Sequence, residues 1–208
     1  MTWFIVGSPL HDPKQPMNNA SWEVEMADYT AYFNGEWVPY SQVKIDPSDR
    51  GFTVGDVVFD VARTFNGKSF RMKEHIDRLF RSLKYVRIDP GLSPDEMLDI
   101  SEEVVQRNEP LRHDVGDYTI TQFITRGPGT TARDAGPPTV CVKAGAINFG
   151  RIAHLFEDGA HGVIARTRSY PVESLDPKVK NFSRMNFNLA DLEAGDVDPD
   201  AWPILMDT

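Results

Sequence analysis

A single cysteine, Cys141, is present in this 208-residue sequence, which excludes an intrachain disulfide and a cysteine metal cluster. It lies in the apolar run TVCV, the setting of a buried structural thiol rather than a nucleophile. Long apolar runs are lacking as well. No stretch approaches the roughly 18 residues of a membrane-spanning helix. The opening MTWFIVGSPL has no basic flank and only about five apolar residues in a row, short of a signal-peptide core. The expectation is a soluble, cytoplasmic protein with no membrane partner. Positive charge is in deficit, with 22 Lys and Arg against 31 Asp and Glu and a net charge of −9. That balance disfavours a nucleic-acid partner, because a polyanion would be repelled. A small anion would have to be held locally by a few convergent cations. The five histidines, His11, His75, His113, His154 and His161, have no zinc-ligand spacing, so no metal is expected. Walker-type and dinucleotide-type glycine loops are also missing.

What is present is globular: 40% hydrophobic and 25% charged residues, with 12 Phe and 4 Trp to build a core. The length suits one large domain or two small ones. Residues 1–28, with Pro9, Pro13 and Pro16, read as an extended arm. AYFNGEWVP and VARTFNGKSFRM each place Asn-Gly between strand-forming residues, at Asn34-Gly35 and Asn66-Gly67, and predict two hairpins. Between them, IDPSDRGFTVGDVVFDV reads as a turn-rich loop entering a strand at Val57–Thr64. In KEHIDRLFRSLKYV, residues Ile76, Leu79, Phe80 and Leu83 have the spacing of an amphipathic helix. Ser93-Pro94-Asp95-Glu96 announces a second helix through an N-cap, a first-turn proline and a capping box. Its apolar stripe is Met97, Ile100, Val104 and Val105. DYTITQFITR and PTVCVKAGA are predicted strands flanking the loop GPGTTARDAGP, and 147–158 reads as a connector. HGVIARTRSY and WPILMD are further predicted strands around a helix in DPKVKNFSRMNFNLADLEA. The order implies a mixed α/β fold rich in antiparallel pairing.

Spacing alone leaves the chemistry open: Lys178 and Lys180 both read as surface charges ahead of a helix. Four segments in register change this. GFTVGDVVFDVARTFNGKSF, RMKEHIDRLFRSLKYVRI, FITRG and DPKVKNFSRMNFNLADLEA together resemble the fold-type IV pyridoxal-phosphate aminotransferases. That family includes branched-chain, D-amino-acid and (R)-amine transaminases and aminodeoxychorismate lyases. The resemblance runs from about Tyr32 to the last residue, and EHIDRL and the VKN segment are its most specific parts. It implies a small α/β domain over 29–146, a connector over 147–158 and the start of a larger pseudo-barrel domain over 159–208.

By this resemblance Lys180 is the Schiff-base lysine for pyridoxal 5′-phosphate. The chemistry requires an amine that can be neutral, which partial desolvation favours. Lys178 becomes the ordinary lysine of the pair. Arg78 falls at the position that contacts the cofactor phosphate, a role suited to a forked and permanently charged donor. His75 could pack beneath that site or simply sit in the core. Phe59 matches a substrate-pocket position. Having Phe rather than Tyr there removes a carboxylate donor and argues against a D-amino-acid preference. Arg133 lies where relatives carry a mobile arginine for a second substrate carboxylate, and Arg126 reads as structural. Arg184 departs from the apolar residues common in relatives and is a further substrate-binding candidate.

The resemblance implies a transaminase passing an amino group from an amino acid or (R)-amine to a 2-oxo acid through a lysine internal aldimine. It also implies a homodimer with sites at the subunit interface. An aminodeoxychorismate-lyase activity and a non-catalytic fragment are the alternatives. In the family a strand like WPILMD leads on to a glutamate that pairs with the pyridine nitrogen. Here the sequence stops at Thr208, and the expectation is a fragment, an incomplete chain or one half of a split protein.

Overall fold

The computed structural model describes residues 28–147, 149 and 153–207. Two Asn-Gly turns start the architecture. Asn34 and Gly35 have φ of 50° and 96°, and Asn66 and Gly67 have φ of 50° and 75°. Two successive positive values match the twist of flanking strands, so each turn closes a hairpin. The first joins β1 (Thr30–Phe33) to β2 (Glu36–Pro39), and the second joins β3 (Val57–Phe65) to β4 (Lys68–Ser69). With β5 (Tyr118–Thr125) and β6 (Val140–Ala146) they form one antiparallel sheet in the order β2-β1-β6-β5-β3-β4. β5 lies inside it, pairing Ile120 with Ala62 on one side and with Ala144 on the other.

Period-two alternation sends Val58, Asp60, Ala62 and Thr64 of β3 to the buried face of the sheet. Two helices contribute to the core on that face. α2 (Met72–Val86) buries Met72, Ile76, Leu79 and Leu83, and α3 (Pro94–Asn108) buries Met97, Val104 and Val105. Truncating a fully buried residue such as Leu79 to Ala would cost about 2–5 kcal/mol. The capping box on α3 is formed as predicted: Glu96 N–H donates to Ser93 Oγ at 3.2 Å, and Ser93 N–H donates to Glu96 Oε2 at 2.7 Å. Ile100 is only half-buried, and the polar Ser101 and Asn108 complete the inner face instead. Asn108 is held there by bonds to both backbone groups of Thr30, which fasten α3 to β1. Cys141 is buried in β6, and burial pushes its thiol up to about 12, as befits a structural residue.

The stretch read as a turn-rich loop contains a short helix, α1 (Arg50–Val54). Asp49 caps it by accepting from Gly51 N–H at 2.7 Å, and Gly55 closes it in the left-handed conformation at φ 70°. Short helices α4 (Arg112–Val115) and α5 (Leu155–Asp158) punctuate later connections. The predicted strand at 161–170 is only β7 (Gly162–Ile164), and WPILMD contributes only β8 (Trp202–Ile204). The two pair in parallel. Just beyond β7 the Glu193 carboxylate of α6 (Met185–Gly195) accepts from the Arg166 and Thr167 N–H groups. The arm over 1–28 lies outside the described residues except for Asp28, whose carboxylate accepts from Ser41 N–H and Oγ. The connector over 147–158 lies outside them in part.

Candidate active site

Lys180 sits in a segment stitched to β3. Its carbonyl accepts from Phe59 N–H at 3.0 Å, Phe182 N–H donates to Val57 O at 3.3 Å, and Asn181 forms a bridge with Val58. From the other side Ser82 of α2 accepts from Lys180 N–H at 3.3 Å. Residues 180–182 therefore occupy the edge that β3 presents before β4 begins. The helix and the segment leading into α6 meet around a cavity of about 500 Å3.

The wall of this cavity carries Arg78, Arg81, Lys178, Lys180 and Arg184, and no carboxylate among the described residues. In a chain with a net charge of −9 that concentration of positive charge is a local anion trap. Lys180 is half-buried, and burial lowers its ammonium below the ordinary lysine value. Asp60 pulls it back up, while Arg78 and Arg184 push it further down. Its Nζ lies 4.2 Å from the centroid of the Phe59 ring. That ring packs against Phe182 at 4.3 Å between centroids, and Phe123 lies 6.2 Å from Phe182. One side of the lysine's surroundings is thus aromatic and another is cationic.

Arg78 is anchored by a residue of the sheet. Asp60, fully buried on β3, accepts from Arg78 Nε and Nη2, both at 2.7 Å. His75 Nδ1 lies 2.8 Å from the same carboxylate, and Val61 N–H donates to it at 2.7 Å. Burial alone would raise the Asp60 pKa, but the Arg78, His75 and Val61 hydrogen bonds outweigh it and hold the group below the usual carboxylate range. The same pairing raises Arg78. A carboxylate in VVFDVA at the register of core residues Val58 and Ala62 is the signal that could have revealed it. Ser82 among the apolar positions of α2 is a second.

Arg184, at the N-cap of α6, lies 4.2 Å from the Phe187 ring and lines the cavity beside Lys180. Lys178 is exposed at the rim, its N–H donating to Asp176. Arg133 is exposed on the β5–β6 loop and does not line the cavity. Arg126 bonds both oxygens of Asp56 and the carbonyls of Val86 and Arg87, which fits its structural reading.

An arginine gripped by a buried carboxylate and a half-buried lysine clamped to the sheet accompany a match to the Amino-transferase class IV family over residues 57–208. The chain belongs to that family. Among its relatives, the "Putative branched-chain-amino-acid aminotransferase" of Methanocaldococcus jannaschii is 36% identical over 167 residues, 78% of this chain and 54% of that protein. The D-alanine aminotransferase of Staphylococcus aureus strain N315 is 35% identical over 136 residues, 64% of this chain and 46% of that protein. The chain thus spans about half the length of these relatives. The fold matches that of a T.th. branched-chain amino acid aminotransferase solved as a complex with N-(5′-phosphopyridoxyl)-L-glutamate. The TM-score is 0.75 at 24% identity, over 88% of this chain and 60% of that one. The Escherichia coli branched-chain enzyme gives a TM-score of 0.73 at 21% identity, over 86% and 60%. The architecture is therefore fold-type IV, mixed α/β with an antiparallel sheet.

Proposed function

We propose that this chain carries the lysine half of a pyridoxal 5′-phosphate-dependent transaminase site. The observation behind this reading is the placement of Lys180, a half-buried amine of lowered pKa on the wall of a cation-rich cavity. The residues present fit the cofactor. Arg78 keeps Nη1 clear of Asp60 and can offer it to a phosphate oxygen. When bound, the cofactor supplies an aldehyde for amine capture and a ring that withdraws electrons from the substrate carbon. Lys180 Nζ, made less costly to deprotonate by burial, would be the amine that holds that group. The same Nζ would take the proton from Cα of the amino donor and pass it on, not back to Cα, as net transfer of the amino group requires. Phe59 and Phe182 exclude water on one side of this amine and favour donors with apolar side chains.

Arg184 is the residue at hand for a substrate carboxylate; Arg133, outside the cavity, would serve one only after a movement of the β5–β6 loop. The substrates in this reading are a branched-chain amino acid or (R)-amine and a 2-oxo acid, handled by a homodimer. Residues 29–146 form the small domain, and 159–208 begin the larger one. The test is spectroscopic and chemical. The full chain is mixed with pyridoxal 5′-phosphate, scanned for visible absorption, reduced with borohydride and mapped by peptide. The expected result is a yellow protein labelled at Lys180 and not at Lys178. A colourless protein, or label divided evenly between the two lysines, would sink the reading.

A further inference from the structure

A guanidinium is planar, so fixing two of its nitrogens fixes the direction of the third. Asp60 does this to Arg78: Nε meets Oδ2 and Nη2 meets Oδ1, both at 2.7 Å. The carboxylate is itself immobile, being fully buried and held by His75 Nδ1 and Val61 N–H. The residue before it, Phe59, donates its N–H to the Lys180 carbonyl. Two adjacent residues of β3 thus set the backbone of the lysine and the fork of the arginine. Arg81 lines the same cavity from further along α2, yet no carboxylate holds it among the described residues.

We propose that Asp60 is a positioning residue for phosphate recognition, acting through Arg78 by locking Nε and Nη2 so that Nη1 is presented to the anion. This rests on the reading of the cavity as the cofactor site, but it makes a separate claim about specificity. Phosphate preference belongs to the Asp60–Arg78 pair and not to the general positive charge of the wall. In Asp60→Asn the amide offers N–H where Arg78 also offers N–H, so the fork loses its template while the strand keeps nearly the same shape.

The test compares binding of pyridoxal 5′-phosphate with binding of pyridoxal, its phosphate-free form, to the full chain and its variants. Asp60→Asn is expected to weaken the phosphorylated probe roughly tenfold and to leave pyridoxal nearly unchanged. Combined with Arg78→Ala it should add nothing further, because both changes remove one device. Equal losses for the two probes would mean that Asp60 merely supports the fold, and additive losses would mean that it acts elsewhere. Either result overturns the inference. Should Asp60→Asn fail to fold, Arg78→Lys keeps the charge and loses the fork. Retained phosphate preference in that variant would equally overturn it. Borohydride label on Lys180 with no effect of Asp60→Asn on phosphate preference would refute this inference and leave the cofactor reading standing. Phosphate preference that depends on Asp60, without label on Lys180, would do the reverse.

Discussion

Two arginine clusters flank the first residues of β3, and their hydrogen bonds are arranged in opposite ways. Around Asp56, Arg126 contacts both carboxylate oxygens and two carbonyls at the end of α2, while Arg50 bonds the same carboxylate and the Thr130 carbonyl. These donors face inward, and the cluster holds the β5–β6 loop and α2 against β3. Around Asp60, Arg78 gives up only part of its fork, and Arg81, Lys178 and Arg184 line the cavity without a carboxylate among them. The sequence offers similar arginines in both places. What separates a structural arginine from one able to meet a ligand is whether its donors are already occupied.

Substitutions should split along that line. The largest effect is expected at Lys180: Lys180→Ala should lower transaminase turnover by about 10²–10⁴-fold while leaving the melting transition close to wild type. A loss of folding in place of activity would move Lys180 into the structural group. Next is Asp56→Asn, which strands Arg126 in a mostly buried position and should cost about 3 kcal/mol in urea unfolding. Its effect on the preference for pyridoxal 5′-phosphate over pyridoxal should be negligible, and a large one would erase the distinction between the clusters. Arg184→Leu should raise KM for a dicarboxylic 2-oxo acid about tenfold and that for pyruvate much less, since a charge-assisted bond to the second carboxylate is lost. Equal KM changes would return Arg184 to a role against Phe187 alone.

The smallest effect concerns pH. Because burial lowers the Lys180 pKa, its free amine becomes the major form at a lower pH than in ordinary lysine. The rate of pyridoxal 5′-phosphate capture should then rise with pH and level off below the normal lysine value of 10.5. Stability moves in the same direction. Between the lowered folded value and the unfolded one, the unfolded chain binds the extra proton, so the contribution of this group to stability increases as pH rises through that interval. A capture profile centred at or above the normal value would contradict the burial of the amine.

The features legible in sequence were local ones. Asn34-Gly35 and Asn66-Gly67 specify their hairpins through backbone conformations that few other pairs tolerate. Ser93 and Glu96 start α3 with side chains three residues apart. Features set by distant partners were not readable in the same way. α1 is too short to show a period and depends on Asp49, which also accepts from Thr125 and Thr139 far along the chain. β7 and its partner β8 are shorter than their apolar runs suggest, and the chain just beyond β7 is held instead by Glu193 of α6, far along the sequence. Lys180 is singled out by resemblance alone, since nothing in its spacing distinguishes it from Lys178. The register of Asp60 with Val58 and Ala62 signals its depth, but nothing local announces the two residues of α2 that reach it.

The bridge between Val58 and Asn181 bears on motion as much as on position. With the Lys180 backbone fastened to β3 and to Ser82, its pivot can shift only if the sheet and α2 shift with it. The aliphatic side chain above that pivot still turns on the fast timescale of rotamer changes. The amine is thus a short crane arm on a fixed base.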